Sequence, residues 1–206
     1  MHPTLRRIID ITYQQRISHL SSTLSAWPII HEIYEEKADD EPFILSNGHA
    51  GLALYCEIEA RTGVDAVMLL NKHGIHPSRD PQNGIWCSTG SLGCGITVAV
   101  GMAMADRTRR VYCMISDGEA AEGSVWESLR FAHDARLDNL IVYANVNGQG
   151  ACDSIDSDYL IRRLTAFLPS IRIRTSHVPQ WSFAKGLLTH YYVLKPDDYE
   201  EICASC

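Results

Sequence analysis

Two apolar runs, Val111-Tyr112-Cys113-Met114-Ile115 and Leu140-Ile141-Val142-Tyr143-Ala144, stand out along the chain because each stops abruptly at polar residues. The first enters Ser116-Asp117-Gly118 and the second enters Asn145-Val146-Asn147-Gly148. Short continuous apolar runs bounded by turn residues predict strands buried on both faces, as in a parallel sheet. Helical spacing covers residues 3–36, where Ile8, Ile9, Ile11 and Ile17 mark the core-facing side of an amphipathic first helix. A helix follows the segment around His49, a loop covers residues 73–86, and Ala99, Gly101, Ala103 and Ala105 give a helix of small residues. Another helix is predicted over residues 122–136. Beyond Asn147 the pattern weakens. It predicts one strand between Arg172 and Val178 and another at Tyr191-Tyr192-Val193-Leu194. Helices alternating with parallel strands predict an α/β fold: a three-layer α/β/α sandwich with a mostly parallel sheet, spanning residues 1–206 as one domain.

If the two runs are neighbouring parallel strands, Asp117 and Asn147 face one crevice beyond their carboxyl ends, where open α/β sheets bind ligands. An Asp-Gly at a strand end is by itself usually a turn. Beside an Asn at the next strand end, it suits a small hard cation. Mg²⁺ takes about six oxygens, few of them from protein and the rest from phosphate and water. Asp117 offers a carboxylate, Asn147 an amide oxygen, and the Gly148-Gln149-Gly150 turn a backbone carbonyl. Gly118 permits close backbone approach to a phosphate. The implied ligand is a metal-bound diphosphate. Upstream, Ser88-Thr89-Gly90-Ser91-Leu92-Gly93-Cys94-Gly95 forms a glycine-rich loop entering the small-residue helix.

That loop resembles the thiamine-diphosphate-binding half of transketolases, as do the run from Ser116 through Asp117-Gly118-Glu119 to Glu127 and Leu137-Asp138-Asn139-Leu140. Leu45-Ser46-Asn47-Gly48-His49-Ala50 is similar to the same family's Ser-Lys/Asn-Gly-His-Ala segment, and the four motifs occur in family order between about Ile8 and Asn147. The resemblance implies thiamine diphosphate as cofactor, with Mg²⁺ (or Ca²⁺ or Mn²⁺) held by Asp117, Asn147 and the Gln149 carbonyl. It further implies that Gly118 meets the diphosphate through its amide, His49 lies on the diphosphate side, and Gly90 and Leu92 give backbone contacts. Glu122 matches an acid at the family's subunit interface beside the cofactor. His19, in Ser18-His19-Leu20-Ser21-Ser22, and His76, in His76-Pro77, match substrate-facing histidines; His190 matches the last family histidine. In such chemistry the cofactor carries the carbanion while the protein moves protons, a task for which histidine, with an ordinary pKa near 6.5, is suited. His2, His31, His73, His133 and His177 are read as structural.

Three departures qualify the resemblance. Ser116 stands where the family has glycine, Leu20 and Ser21 replace the family's Pro and Gly after His19, and the stretch after Asn147 is shorter than in the family. The pyrimidine-binding and C-terminal domains, including the glutamate that protonates the cofactor's aminopyrimidine, are expected on a partner chain, in an assembly of two plus two. The resulting expectation is the N-terminal subunit of a split transketolase, transferring a two-carbon ketol unit between sugar phosphates. The altered His19 loop keeps open another thiamine-diphosphate-dependent lyase, ligase or decarboxylase; a degenerate partner-binding subunit is the non-enzyme alternative.

A formal net charge of −7 disfavours nucleic acid as a partner. The basic cluster Arg107-Thr108-Arg109-Arg110 reads as a solvated loop. No apolar run reaches the roughly 20 residues of a membrane span, no signal segment opens the sequence, and the expected location is cytoplasmic. Seven scattered cysteines are expected to be reduced thiols. Cys203-Ala204-Ser205-Cys206 reads as a frayed terminus, and Cys94 as the thiol placed to sense the cofactor.

Overall fold

The chain begins by satisfying its own helix ends. His2 Nδ1 accepts the Thr4 N–H at 3.2 Å and Pro3 occupies the first turn of α1 (Pro3–Gln14), whose Ile8, Ile9 and Ile11 are buried. Positive φ angles at Arg16 (52°) and His19 (72°) break the predicted helical stretch and start α2 (Leu20–Glu36), which carries Pro28 within it. In the computed structural model, residues 1–150, 153–177, 181–185 and 188–204 are described. After β1 (Phe43–Leu45) come α3 (Gly51–Thr62), α4 (Ala66–His73), α5 (Cys94–Ala105), β2 (Val111–Ser116), α6 (Gly123–Asp134) and β3 (Leu140–Val146). They are followed by α7 (Ser157–Phe167), β4 (Arg172–Thr175), α8 (Leu188–Tyr191) and α9 (Pro196–Ala204).

The four strands form one sheet in the order β1-β2-β3-β4, every neighbouring pair parallel. Ser116 is paired with Asn145, so β2 and β3 end level and deliver Asp117 and Asn147 to the same edge. One face packs Tyr112, Met114 and Tyr143 against the first helices of the chain, including Ile30 of α2 and Tyr55 of α3. The other packs Cys113, Ile115 and Val142 against Ile96 of α5, Leu129 of α6 and Leu164 of α7. This is the expected three-layer α/β/α arrangement. None of the described helices is long and apolar enough to cross a membrane.

Several local expectations are corrected. Tyr191-Tyr192-Val193-Leu194 is not a strand: Tyr191 ends α8, and Tyr192 donates its hydroxyl to Asp198 of α9 at 2.8 Å. The β-favouring side chains there are claimed by helix packing, a tertiary override of propensity. Of the other tail strand, Arg172–Thr175 is β4 and Val178 lies outside the described residues. The arginine cluster is a largely exposed loop, as expected, whose side chains also find partners. Arg110 pairs with Glu41 at 2.7 Å, Arg107 donates to the carbonyls of Ala135 and Arg136, and Arg109 lies over the Trp86 ring. Cys203 belongs to α9 rather than to a frayed end, and Cys206 lies outside the described residues.

Candidate functional site

Beyond the carboxyl ends of β1, β2 and β3 lies a cleft of about 190 Å³. It gathers Asp117, Gly118, Asn147 and Gln149 from the β2 and β3 ends, Gly90 and Leu92 from the glycine-rich loop, and the four histidines at 19, 49, 76 and 190. These come from α2's start, the turn after β1, the loop before α5, and α8, so they span most of the chain. Gly118 opens a 3-10 turn (Gly118–Ala121), and α6 starts at Gly123, within the predicted helix over residues 122–136.

Asp117 is 2% exposed, and its Oδ2 accepts the N–H groups of Asn147 at 2.8 Å and Gly148 at 2.7 Å, while Oδ1 accepts that of Gly118 at 3.1 Å. Burial raises its pKa and these backbone donors oppose the rise. Among the described residues no Lys or Arg pairs with it. A buried carboxylate held by amides and lacking a cationic side-chain partner, next to an amide oxygen, is a donor set that fits a divalent cation. Asn147 Oδ1 accepts the Gln149 N–H at 2.9 Å, which folds the turn around that point.

Histidine crowding has an electrostatic consequence. Burial, then the neighbouring His190 and His76, lower His19 to about 4; burial, then His190, His19 and His76, lower His49 to about 3. Burial also lowers His190. The His19 and His190 rings meet edge to face with centroids 4.2 Å apart, and the His19 N–H donates to the His190 carbonyl at 2.9 Å. Ser18 Oγ lies 2.6 Å from His19 Nδ1 and Ser22 Oγ lies 2.8 Å from His190 Nδ1. Each serine occupies one ring nitrogen and leaves the other for a ligand. Burial therefore holds the His19, His49 and His190 imidazoles toward their neutral form.

Gly90 sits at φ 146°, a conformation side chains rarely adopt, and a Cβ there would press against the His76 ring at 3.1 Å. Beneath the loop, Glu119 is fully buried and takes hydrogen bonds from Ser46 Oγ and the Gly93 N–H, both at 2.8 Å, and from the Ser116 N–H at 3.3 Å. Burial raises its pKa to about 7 against these donors. Sequence reasoning missed Glu119 as a functional residue, although it lies inside the motif that carried the resemblance. It also missed Ser22, Ser25, Asn47, Ser116, Asn145 and Tyr191, all on the cleft wall. Asn47 Oδ1 and Ser116 Oγ are buried without a partner among the described residues.

Two residues named from the sequence are exposed outside the cleft lining. Glu122 is exposed at the start of α6 against Gly93 and does not line the cleft. Cys94 is exposed at the first position of α5, also outside it. Of the histidines read as structural, His31 bonds Glu57 at 3.0 Å and His73 bonds Asp80 at 3.2 Å.

A parallel α/β sheet whose strand ends present an acid and an amide beside a glycine loop defines a diphosphate-cofactor-binding domain. The particular family follows from comparison: residues 29–168 match the family described as transketolase, thiamine diphosphate binding domain, and the chain belongs to it. It is 38% identical over 122 residues to transketolase-like protein 2 of Bos taurus, covering 54% of this chain and 20% of that protein. It is 29% identical over 162 residues to one subunit of the apulose-4-phosphate transketolase of Phocaeicola vulgatus, covering 69% of this chain and 57% of the relative. A crystal structure of a Pichia stipitis transketolase mutant superposes with a TM-score of 0.82 at 21% identity, over 98% of this chain and 39% of that one, a likeness of fold. The chain spans about a fifth of the length of the curated animal transketolases it matches.

Proposed function

We propose that this chain is the thiamine-diphosphate-binding subunit of a two-component transketolase, moving a two-carbon ketol unit from a ketose phosphate to an aldose phosphate. The observation that carries the reading is the buried Asp117 carboxylate, held by backbone amides beside Asn147 in a cleft ringed by four histidines. Asp117, Asn147 and the Gln149 carbonyl would hold Mg²⁺, with Gly118, His49, Gly90 and Leu92 toward the cofactor. When bound, the cofactor supplies a stabilised carbanion centre for making and breaking carbon–carbon bonds. The protein's share is orientation and proton movement: His19 and His190, each with one nitrogen occupied by a serine, and His76 are the groups for removing and returning protons on substrate oxygens. Glu122, exposed beside the glycine loop, is placed for a contact with a second chain.

Dependence on a partner is supported by two observations. The relative covered over 57% of its length is itself named as one subunit of its enzyme. The cleft, at about 190 Å³, falls below the roughly 300–1,000 Å³ typical of small-molecule sites, a size that fits one wall of a site completed by another surface. We propose that a chain carrying the pyrimidine-binding and C-terminal domains supplies it, two copies of each.

The test is ketol transfer from xylulose 5-phosphate, with Mg²⁺ and thiamine diphosphate, for this chain alone and mixed with the product of a neighbouring reading frame. Transfer in the mixture only is the expected result. Cofactor binding without transfer would move the reading to another thiamine-dependent reaction, and full turnover by the single chain would overturn the two-component form.

A further inference from the structure

The Asn147 amide has two faces, and only one suits a cation: its oxygen attracts the ion while its NH₂ repels it. Something must decide which end points where. Behind Asn147, Ser25 of α2 is 3% exposed and donates its single hydroxyl proton to the Ser22 carbonyl at 3.1 Å. A hydroxyl with its proton committed retains two acceptor lone pairs. They face Asn145 Nδ2 at 3.3 Å and Asn147 Nδ2 at 3.5 Å. Asn145 is in turn fixed by Ser176 Oγ, which donates to its Oδ1 at 2.5 Å, so Asn145 has only its NH₂ to offer Ser25. The relay from the end of β4 through β3 to α2 thus leaves Ser25 as an acceptor toward both asparagines, and directs the Asn147 oxygen away from the helix, into the turn that lines the cleft.

We propose that Ser25 is a positioning residue for the cation site: by accepting from the Asn147 NH₂ it keeps the amide oxygen, rather than the nitrogen, on the cleft side. This rests on the reading of Asn147 as a cation ligand, to which Ser25 adds an orienting partner of the kind that typically changes metal affinity by 10–100-fold. Ser25 lies on the cleft wall, and its proposed effect on the cation runs through Asn147.

The experiment is Mn²⁺ binding to the full chain with thiamine diphosphate, followed by electron paramagnetic resonance, in a double-mutant cycle of Ser25→Ala and Asn147→Asp. Ser25→Ala should weaken Mn²⁺ by roughly 10-fold or more. In the Asn147→Asp background the same change should have no effect, since a carboxylate presents oxygen whichever way it turns. Equal losses in both backgrounds would mean Ser25 supports packing only, and would overturn the inference. Side-chain amide resonances of Asn147 in the metal-free chain separate the two levels. A sharp, inequivalent NH₂ pair that broadens in Ser25→Ala supports orientation even if wild-type chain binds no Mn²⁺, in which case the cation reading fails alone. An Asn147 NH₂ unchanged by Ser25→Ala overturns the orienting role.

Discussion

Ser46 Oγ donates to Glu119 Oε1 at 2.8 Å, tying the end of β1 to the turn that follows β2 directly under the cleft. The same oxygen receives the Gly93 N–H, and Oε2 receives that of Ser116, so one carboxyl joins the glycine-rich loop to both strand ends. Removing it by Glu119→Ala would orphan two buried backbone donors and a hydroxyl, each costing about 1–3 kcal/mol. The expected loss is about 3 kcal/mol or more in urea unfolding. Glu119→Gln keeps an acceptor for Ser46 and Gly93 but turns an NH₂ toward the Ser116 N–H, and should cost less than alanine. Equal, small effects of both changes would show that the loop is held by other contacts.

The depressed histidines predict how stability responds to acid. Burial, with His190 and His76 nearby, holds the folded-state pKa of His19 at about 4 against an ordinary value of 6.5. Between those values the unfolded chain binds a proton that the folded chain refuses, so stability is intact above about pH 6.5 and falls as pH drops toward 4. His19 has φ 72°, a conformation asparagine tolerates. His19→Asn should therefore fold and show a shallower decline in melting temperature from pH 7 to 4.5 than wild type. Parallel curves would mean that His19 titrates normally.

Asp117 is best probed with asparagine. Alanine would leave the N–H groups of Gly118, Asn147 and Gly148 without their acceptor as well as removing the charge. Asp117→Asn can keep its oxygen toward Asn147 and Gly148, at the cost of turning its NH₂ toward the Gly118 N–H, while losing the negative charge that a divalent ion requires. The expected outcome is a chain that folds, with a smaller loss of melting temperature than alanine causes, yet shows no measurable Mg²⁺-dependent thiamine diphosphate binding in calorimetry. Retained affinity would remove Asp117 from the cation site.

How much of this was legible in the sequence depends on which force placed each residue. Asp117 and Asn147 could be read because strand ends are marked by an abrupt change from apolar to polar, and parallel register then brings them level. Gly90, Leu92 and the four histidines became legible only through resemblance to a known family, since no local periodicity points them at one another. Ser25, Asn145 and Glu119 left no readable signal as a group. Ser25 meets Asn145 because α2 packs against β3, and Glu119 meets Ser46 and Gly93 across the ends of β1 and β2, tertiary contacts that spacing along the chain does not encode. The tail was misread for a related reason: α7 buries little beyond Leu160 and Leu164, and α9 only Asp198 and Ile202, too few positions to show a helical period.

Gly48 provides a test of whether the glycine-rich loop and the His49 turn act as one unit. A Cβ on Gly48 would lie 2.7 Å from Thr89 Oγ1 and 2.8 Å from both the Gly90 nitrogen and the Thr89 carbonyl carbon, and two of those three are backbone. The main chain of the loop cannot retreat without moving Gly90 and Leu92 on the cleft wall. Overpacking of this kind costs about 1–3 kcal/mol, so Gly48→Ala should lower the free energy of unfolding by that amount. It should also weaken thiamine diphosphate binding by more than the stability loss explains, because the displaced loop lines the site. Gly101→Ala is the matched control: nothing lies within 4 Å of its Cβ, and in the interior of α5 alanine should stabilise by up to about 1 kcal/mol with no change in cofactor affinity. If Gly48→Ala is destabilised but binds the cofactor as wild type does, the loop and the His49 turn are coupled in packing only, and Gly90 and Leu92 lose their proposed contact role.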